Sequence, residues 1–155
     1  MLYDSTIFTS CSKENLLKVL RLQKRAAKII LDAGKTAPSV GLFNTLKWVP
    51  FNAESYVNRC VLIYKRLNGN TPEYINDLLI RNSDTHNRST RFCNINLMCP
   101  RFKRSTEGGW AFAVRATKEW IKLSVDIKLS TSVKSLKRSL FKIILDKQIL
   151  SKLLL

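Results

Sequence analysis

Histidine occurs once in these 155 residues, and carboxylates number 11 against 27 lysines and arginines. A lone imidazole, His86, set between Thr85 and Asn87 in a polar stretch, excludes histidine clusters and reads as a structural loop residue rather than a base or ligand. Cysteine is also sparse. Cys11, Cys60, Cys93 and Cys99 include no Cys-x2-Cys pair and no second histidine accompanies them, which points to free thiols instead of a zinc site. Glycines are too few and too scattered for a phosphate-cradling loop, Gly108-Gly109 being a lone turn-like pair. No apolar run reaches the roughly 18 residues that span a bilayer. The first residues lack the basic-then-apolar pattern of a secretory leader, so the expectation is an intracellular chain, nuclear or cytoplasmic, with reduced thiols.

What is abundant is positive charge. The formal balance is +16, while the apolar fraction of 45% and charged fraction of 25% are ordinary for a globular domain. Self-repulsion of that size works against a compact state unless a polyanion offsets it, with nucleic acid the first candidate and an anionic membrane surface the second. The bases run along the whole chain, which favours a folded basic surface over a disordered arm.

Helical periodicity dominates. Leu16, Leu20, Gln23, Ala27 and Ile30 repeat at three and four residues from Ser12 onward, and at about 100° per residue they form one stripe. Lys18, Arg21, Arg25 and Lys28 repeat on the other side, with no carboxylate between Glu14 and Asp32. A solvated basic face on an ordinary core helix has the same pattern. This helix is expected over 13–33, stopped by Gly34. A short one follows Pro38 with Leu42, Phe43 and Leu46. A third starts near Asn52, with Val57, Cys60, Val61, Tyr64 and Leu67 as its packing stripe, and ends at Asn68-Gly69. Thr71-Pro72-Glu73 reads as an N-cap, a first-turn proline and an acid, opening a helix with Tyr74, Ile75, Leu78 and Leu79. Residues 81–108 are polar and basic, and 94–98 alternate weakly like a strand. Further helices are expected over 110–123, with Phe112, Ala113, Ala116, Trp120 and Leu123 inward, and after Ser132, with Val133, Leu136, Leu140, Ile143, Ile144, Leu150 and Leu154. The fold class is therefore mainly α, five to six helices with a small irregular or β insert near 88–104. It is one region, 1–155: helices over about 13–80, a basic polar insert over 81–108, and C-terminal helices over 109–155.

Several stretches resemble, in order, the region after the polymerase core in jockey-like reverse transcriptases of LINE (non-LTR) retrotransposons. Leu2-Tyr3-Asp4-Ser5-Thr6-Ile7-Phe8 is similar to that family's Leu-Tyr-x-Ser-x-Ile-Trp, and Leu22 to Ile30 to the helix that follows it. Trp48-Val49-Pro50-Phe51 resembles its Trp-x-Pro-Phe/Leu element. The most specific match is Tyr64 to Leu78, similar to Tyr-Lys-x-Leu-Asn-Gly-x-x-Pro-x-Tyr-Leu-x-Asp-Leu. His86 to Arg91 resembles its His-x-Arg-x-Thr-Arg turn, and Leu97 to Arg101 its Leu-x-x-Pro-Arg. Phe112, Arg115, Ala116 and Trp120 fall on Phe-x-x-Arg-Ala-x-x-x-Trp-Asn-x-Leu-Pro, but Ile121 replaces the Asn, Ser124 the Pro, and Leu136 the Phe of the closing helix. The family's polymerase holds Mg²⁺ on adjacent aspartates, and this chain has no Asp-Asp pair. The resemblance thus implies a truncated, post-catalytic piece of an RNA-directed DNA polymerase with endonuclease. Such a piece is not an enzyme on its own and has no cofactor, the Mg²⁺ belonging to the missing core.

On this reading RNA or DNA backbone is bound by Lys18, Arg21, Arg25 and Lys28 and by Arg88, Arg91, Arg101, Lys103 and Arg104, with Phe92 and Phe102 as candidate base-stacking rings against an equal expectation of core packing. Trp48, Trp110 and Trp120 are expected in the core. Two alternatives stand beside it. One is an interaction module that docks on the upstream polymerase core and, without it, self-associates. The other is a non-functional relic of a truncated element. Lys134, Lys137, Arg138 and Lys142 beside the apolar stripe of the closing helix suggest a membrane surface; the family's helices do the same in a soluble protein, and no membrane partner is expected.

Overall fold

The computed structural model describes residues 11–85, 94–104 and 107–145. The Leu2–Phe8 stretch, His86, Cys93, the Trp110 side chain and the end of the closing helix with Leu150 and Leu154 lie outside the described residues.

Helix α1 (Lys13–Ile30) starts where Ser12 Oγ accepts the Asn15 N–H at 3.3 Å, the N-cap expected there. It stops earlier than Gly34. Asp32 takes φ 47°, its N–H reaches Ile29 O, and the Ala33 N–H reaches Lys28 O at 2.9 Å, closing the helix through a left-handed residue that is not glycine. Helix α2 (Ser39–Thr45) ends the same way on Lys47, φ 52°, with the Trp48 N–H on Phe43 O at 2.8 Å and the two rings 6.3 Å apart. Helix α3 (Phe51–Leu67) uses the expected glycine, Gly69 at φ 74°, with the Asn70 N–H on Lys65 O at 2.8 Å.

These ends carry a stability prediction. Lys47→Gly relieves about 1–2 kcal/mol of left-handed strain against roughly 0.5–1 kcal/mol of glycine entropy, a net gain of about 0.5–1 kcal/mol. Gly41→Ala, inside α2 where an added Cβ meets nothing within 4 Å, gains about as much. Urea midpoints of the two variants check both, and a fall in either overturns its account.

The core surrounds α3. Ala53, Val57, Cys60, Val61, Ile63 and Tyr64 are buried, more of the circumference than a single stripe, because helices pack on several sides. Helix α4 (Glu73–Leu78) and the turn α5 (Asn82–Thr85) follow, then α6 (Glu107–Trp110), α7 (Phe112–Ile121), α8 (Val125–Lys128) and α9 (Val133–Leu145). Helix α7 adds Ala116 and Trp120 to the core, α9 adds Leu136, Leu140 and Ile144, and Leu79 and Leu97 complete it. A smaller cluster of Leu20, Ala27 and Phe43, with Leu17, Leu42, Leu46 and Trp48 against it, joins α1 to α2. Gln23, the polar member of the α1 stripe, connects the clusters. Its Nε2 donates to Val49 O and its Oε1 accepts the Phe51 N–H, both at 2.9 Å, satisfying a donor at the start of α3 that has no partner within that helix.

The mainly-α class holds, with more helical segments than five to six. Short turns of helix form at Asn82, Glu107 and Val125, the last beginning after Ser124, where the family pattern has proline. The possible strand over 94–98 is reduced to one antiparallel bridge, Arg81 with Leu97, flanked by Met98 N–H to Ile80 O at 2.9 Å and Asn82 N–H to Asn96 O at 3.2 Å. Pro72 stands at the cap position of α4 rather than inside it, and the Thr71 hydroxyl bonds Asn76 Oδ1 instead of capping. Tyr74 and Leu78, expected to pack, face outward, because the short helix turns only Ile75 and the following Leu79 toward the core. Ile30 is likewise exposed, since α2 covers α1 only as far as Ala27.

Candidate nucleic-acid interface

Lysine and arginine divide into two populations. One is committed to the fold. Arg59 is 2% exposed and grips Glu119 through both oxygens, Nε to Oε2 at 2.7 Å and Nη2 to Oε1 at 2.8 Å. Arg115, the arginine of the Phe-x-x-Arg-Ala stretch, meets the same carboxylate at 3.2 Å from the preceding turn of α7. Arg66 Nε donates to Leu79 O at 3.0 Å and pairs with Asp84 at 3.8 Å, and Arg81 Nη2 donates to the carbonyls of Arg66 and Leu67. Lys128 is buried without a carboxylate. Its Nζ reaches Asn96 Oδ1 at 3.0 Å and Ile121 O at 3.1 Å at the C-terminal end of α7, and burial holds its pKa below the usual lysine range.

The other population faces solvent. Lys18, Arg21 and Arg25 are exposed along α1 at three- and four-residue spacing, opposite Leu16, Leu20 and Ala27. Lys28 is half-buried and donates to Lys35 O, so it is partly engaged at the end of the helix. Arg101, Lys103 and Arg104 are exposed on the segment leading into α6. The two groups stand on different elements: α1 packs on α2 and α3, while 101–104 adjoins α6 and α7. Arg88, Arg91 and Phe92 lie outside the described residues. Lys134, Lys137, Arg138 and Lys142 are exposed on α9, with Lys137 close enough to Glu54 to favour its charged form, although burial is the larger influence and raises that carboxyl.

Phe102 is exposed and outside both core clusters, with a local contact of its own. A Cβ at Gly108 would stand 2.5 Å from Phe102 Cβ, so the glycine permits the close approach, and Lys118 Nζ sits 4.6 Å from the ring centroid. Trp120 is fully buried with Nε1 donating to Ile95 O at 2.8 Å, so it offers no stacking face, and Trp48 is half-buried against Phe43. Cys11, Cys60 and Cys99 carry free thiols, and burial pushes Cys60 up to about 12, leaving it protonated. Among the described residues no three His, Cys, Asp or Glu side chains gather to hold a metal, and no helix is long and apolar enough to cross a membrane.

The residues that sequence reasoning missed are the committed ones. Arg59 lies amid a buried apolar run, and Glu119 is the lone acid between Glu107 and Asp126, but nothing in the sequence pairs two residues 60 positions apart. No family model matches the chain, and comparison with curated proteins and with solved structures finds no match either.

Proposed function

We propose that this chain is a basic helical module that binds the backbone of RNA or DNA, and that it is the post-catalytic C-terminal part of a jockey-like LINE reverse transcriptase. One observation carries the binding reading. Lys18, Arg21 and Arg25 form an exposed row on a helix whose opposite side is packed, while the arginines needed for folding are held elsewhere. Consecutive bases at that spacing meet successive phosphates of a strand laid along the helix. Origin in such an element rests on the ordered motif resemblance alone; in the fold Asn68-Gly69 is a helix stop and Trp120 is a core anchor.

The test is titration of the chain with labelled single-stranded RNA and with duplex DNA at several salt concentrations. With three to four phosphates neutralised by the α1 row, replacing Lys18, Arg21, Arg25 and Lys28 by Glu should flatten the log–log salt slope on single strands by roughly 2–3. Lys18, Arg21 and Arg25 are exposed and Lys28 gives up only its bond to Lys35 O at the helix end, so the fold should persist by circular dichroism. An unchanged slope and affinity would remove α1 from the interface.

A further inference from the structure

The outer surface of α1 has a second stripe beside the basic one. Val19, Leu22, Ile29 and Ile30 are all exposed, Leu22 at 66% and Ile29 at 72%, with Ala26 half-buried between them. At 1.5 Å per residue this apolar strip runs about 16 Å along the helix. Its counterpart in charge lies on the same molecule. Residues 68–80 contain no lysine or arginine but hold Glu73 and Asp77, both exposed. Within this acid-bordered region Tyr74 and Leu78 stand 66% and 51% exposed one helical turn apart, Ile80 is exposed, and the Met98 N–H to Ile80 O bond brings exposed Met98 beside it. Of the nearest arginines, Arg66 is directed onto Leu79 O and Asp84, and Arg81 onto the carbonyls of Arg66 and Leu67.

From this complementarity we infer that two copies of the chain associate by laying the apolar and basic surface of α1 from one copy on the apolar and acidic surface around α4 of another. A second copy fits better than a stranger because one chain supplies both halves, an apolar strip bordered by bases and one bordered by carboxylates. Pairing α1 with α1 would oppose basic rows, and pairing α4 with α4 would oppose acids, so the charges select the mixed contact. The contact is heterologous and leaves one α1 and one α4 open, so further copies add unless the two contacts close on each other. The whole-chain repulsion of a +16 protein is screened beyond about 8 Å at 0.15 M salt, while the contact itself is not.

Sedimentation of nucleic-acid-free protein at 0.15 M salt tests this independently of RNA or DNA binding. The unaltered chain should gain mass with concentration. Leu22→Ser with Ile29→Ser, and separately Tyr74→Ser with Leu78→Ser, should each weaken association at least tenfold, since each pair removes central apolar anchors. All four side chains are exposed, and circular dichroism verifies the fold. Mixed together, the two variants should form one-to-one dimers, because each retains the surface the other lacks. A mixture that stays monomeric, an α4 variant that still dimerises alone, or an unaltered chain that stays monomeric across the titration would overturn the inference.

Discussion

Glu119→Ala should cost about 3–5 kcal/mol of folding stability, the expected result of leaving a buried arginine without its carboxylate. Arg59 is 2% exposed in the central helix and cannot turn to water without opening the core, so its charge stays desolvated when the 2.7 and 2.8 Å bonds to Glu119 are lost. Arg115 loses less, because it is half-buried and can reach solvent. For a chain of this size the melting temperature should fall by roughly 6–20 °C. The double variant Arg59→Met with Glu119→Leu removes both charges and fills similar volume, and should recover most of the loss, since replacing a buried pair by apolar groups is often neutral or better. Thermal and urea unfolding of the single and double variants decide the matter. A loss under about 1 kcal/mol in Glu119→Ala, or a double variant no better than the single, would show that the pair is not a buried link between α3 and α7.

That pair also shows where sequence periodicity reaches its limit. The apolar rows of α3 and α9 were legible because both helices carry them into the main core, and Val57, Cys60, Val61, Leu136, Leu140 and Ile144 are buried as expected, although α3 is buried on more sides than its row alone. Periodicity identifies a row as apolar without saying how far a neighbour extends along it. Ile30 and Leu78 therefore sit in apolar rows yet face water, α2 ending its cover near Ala27 and α4 being too short to bury two sides. Helix ends were legible where glycine marked them and missed where Asp32 and Lys47 adopt the same left-handed turn, a conformation that aspartate signals only weakly and lysine not at all. Lys18, Arg21 and Arg25 are exposed as their spacing opposite the apolar row implied, because charged side chains on a packed helix point away from the packing. The burial of Arg59 and Lys128 was not legible, because it depends on partners 60 and 32 residues away.

Trp120→Ala is expected to be as costly as the loss of Glu119, about 3–5 kcal/mol, since it empties the largest fully buried side chain from the contact of α7 with α3. Trp120→Phe separates two contributions within that residue. The ring still fills much of the space, but Ile95 O loses the indole N–H that reaches it at 2.8 Å, a loss of roughly 1–3 kcal/mol if no water takes its place. The effect should be local. Ile95 to Leu97 is the anchor from which the exposed Arg101, Lys103 and Arg104 extend, and it is held by this bond, by Lys128 Nζ on Asn96, by burial of Leu97 and by the backbone bonds to Ile80 and Asn82. With the indole bond removed, amide exchange at 96–98 should accelerate about fivefold or more, while protection within α3 and α9 changes only by the global loss of stability. If α1 and 101–104 bind RNA as proposed, the same variant should keep the α1 contribution and weaken only that of 101–104, because a looser anchor spreads those bases over more conformations. Equal acceleration throughout the chain would mean that the 94–98 segment is not a separately opening unit, and that Trp120 serves the core alone.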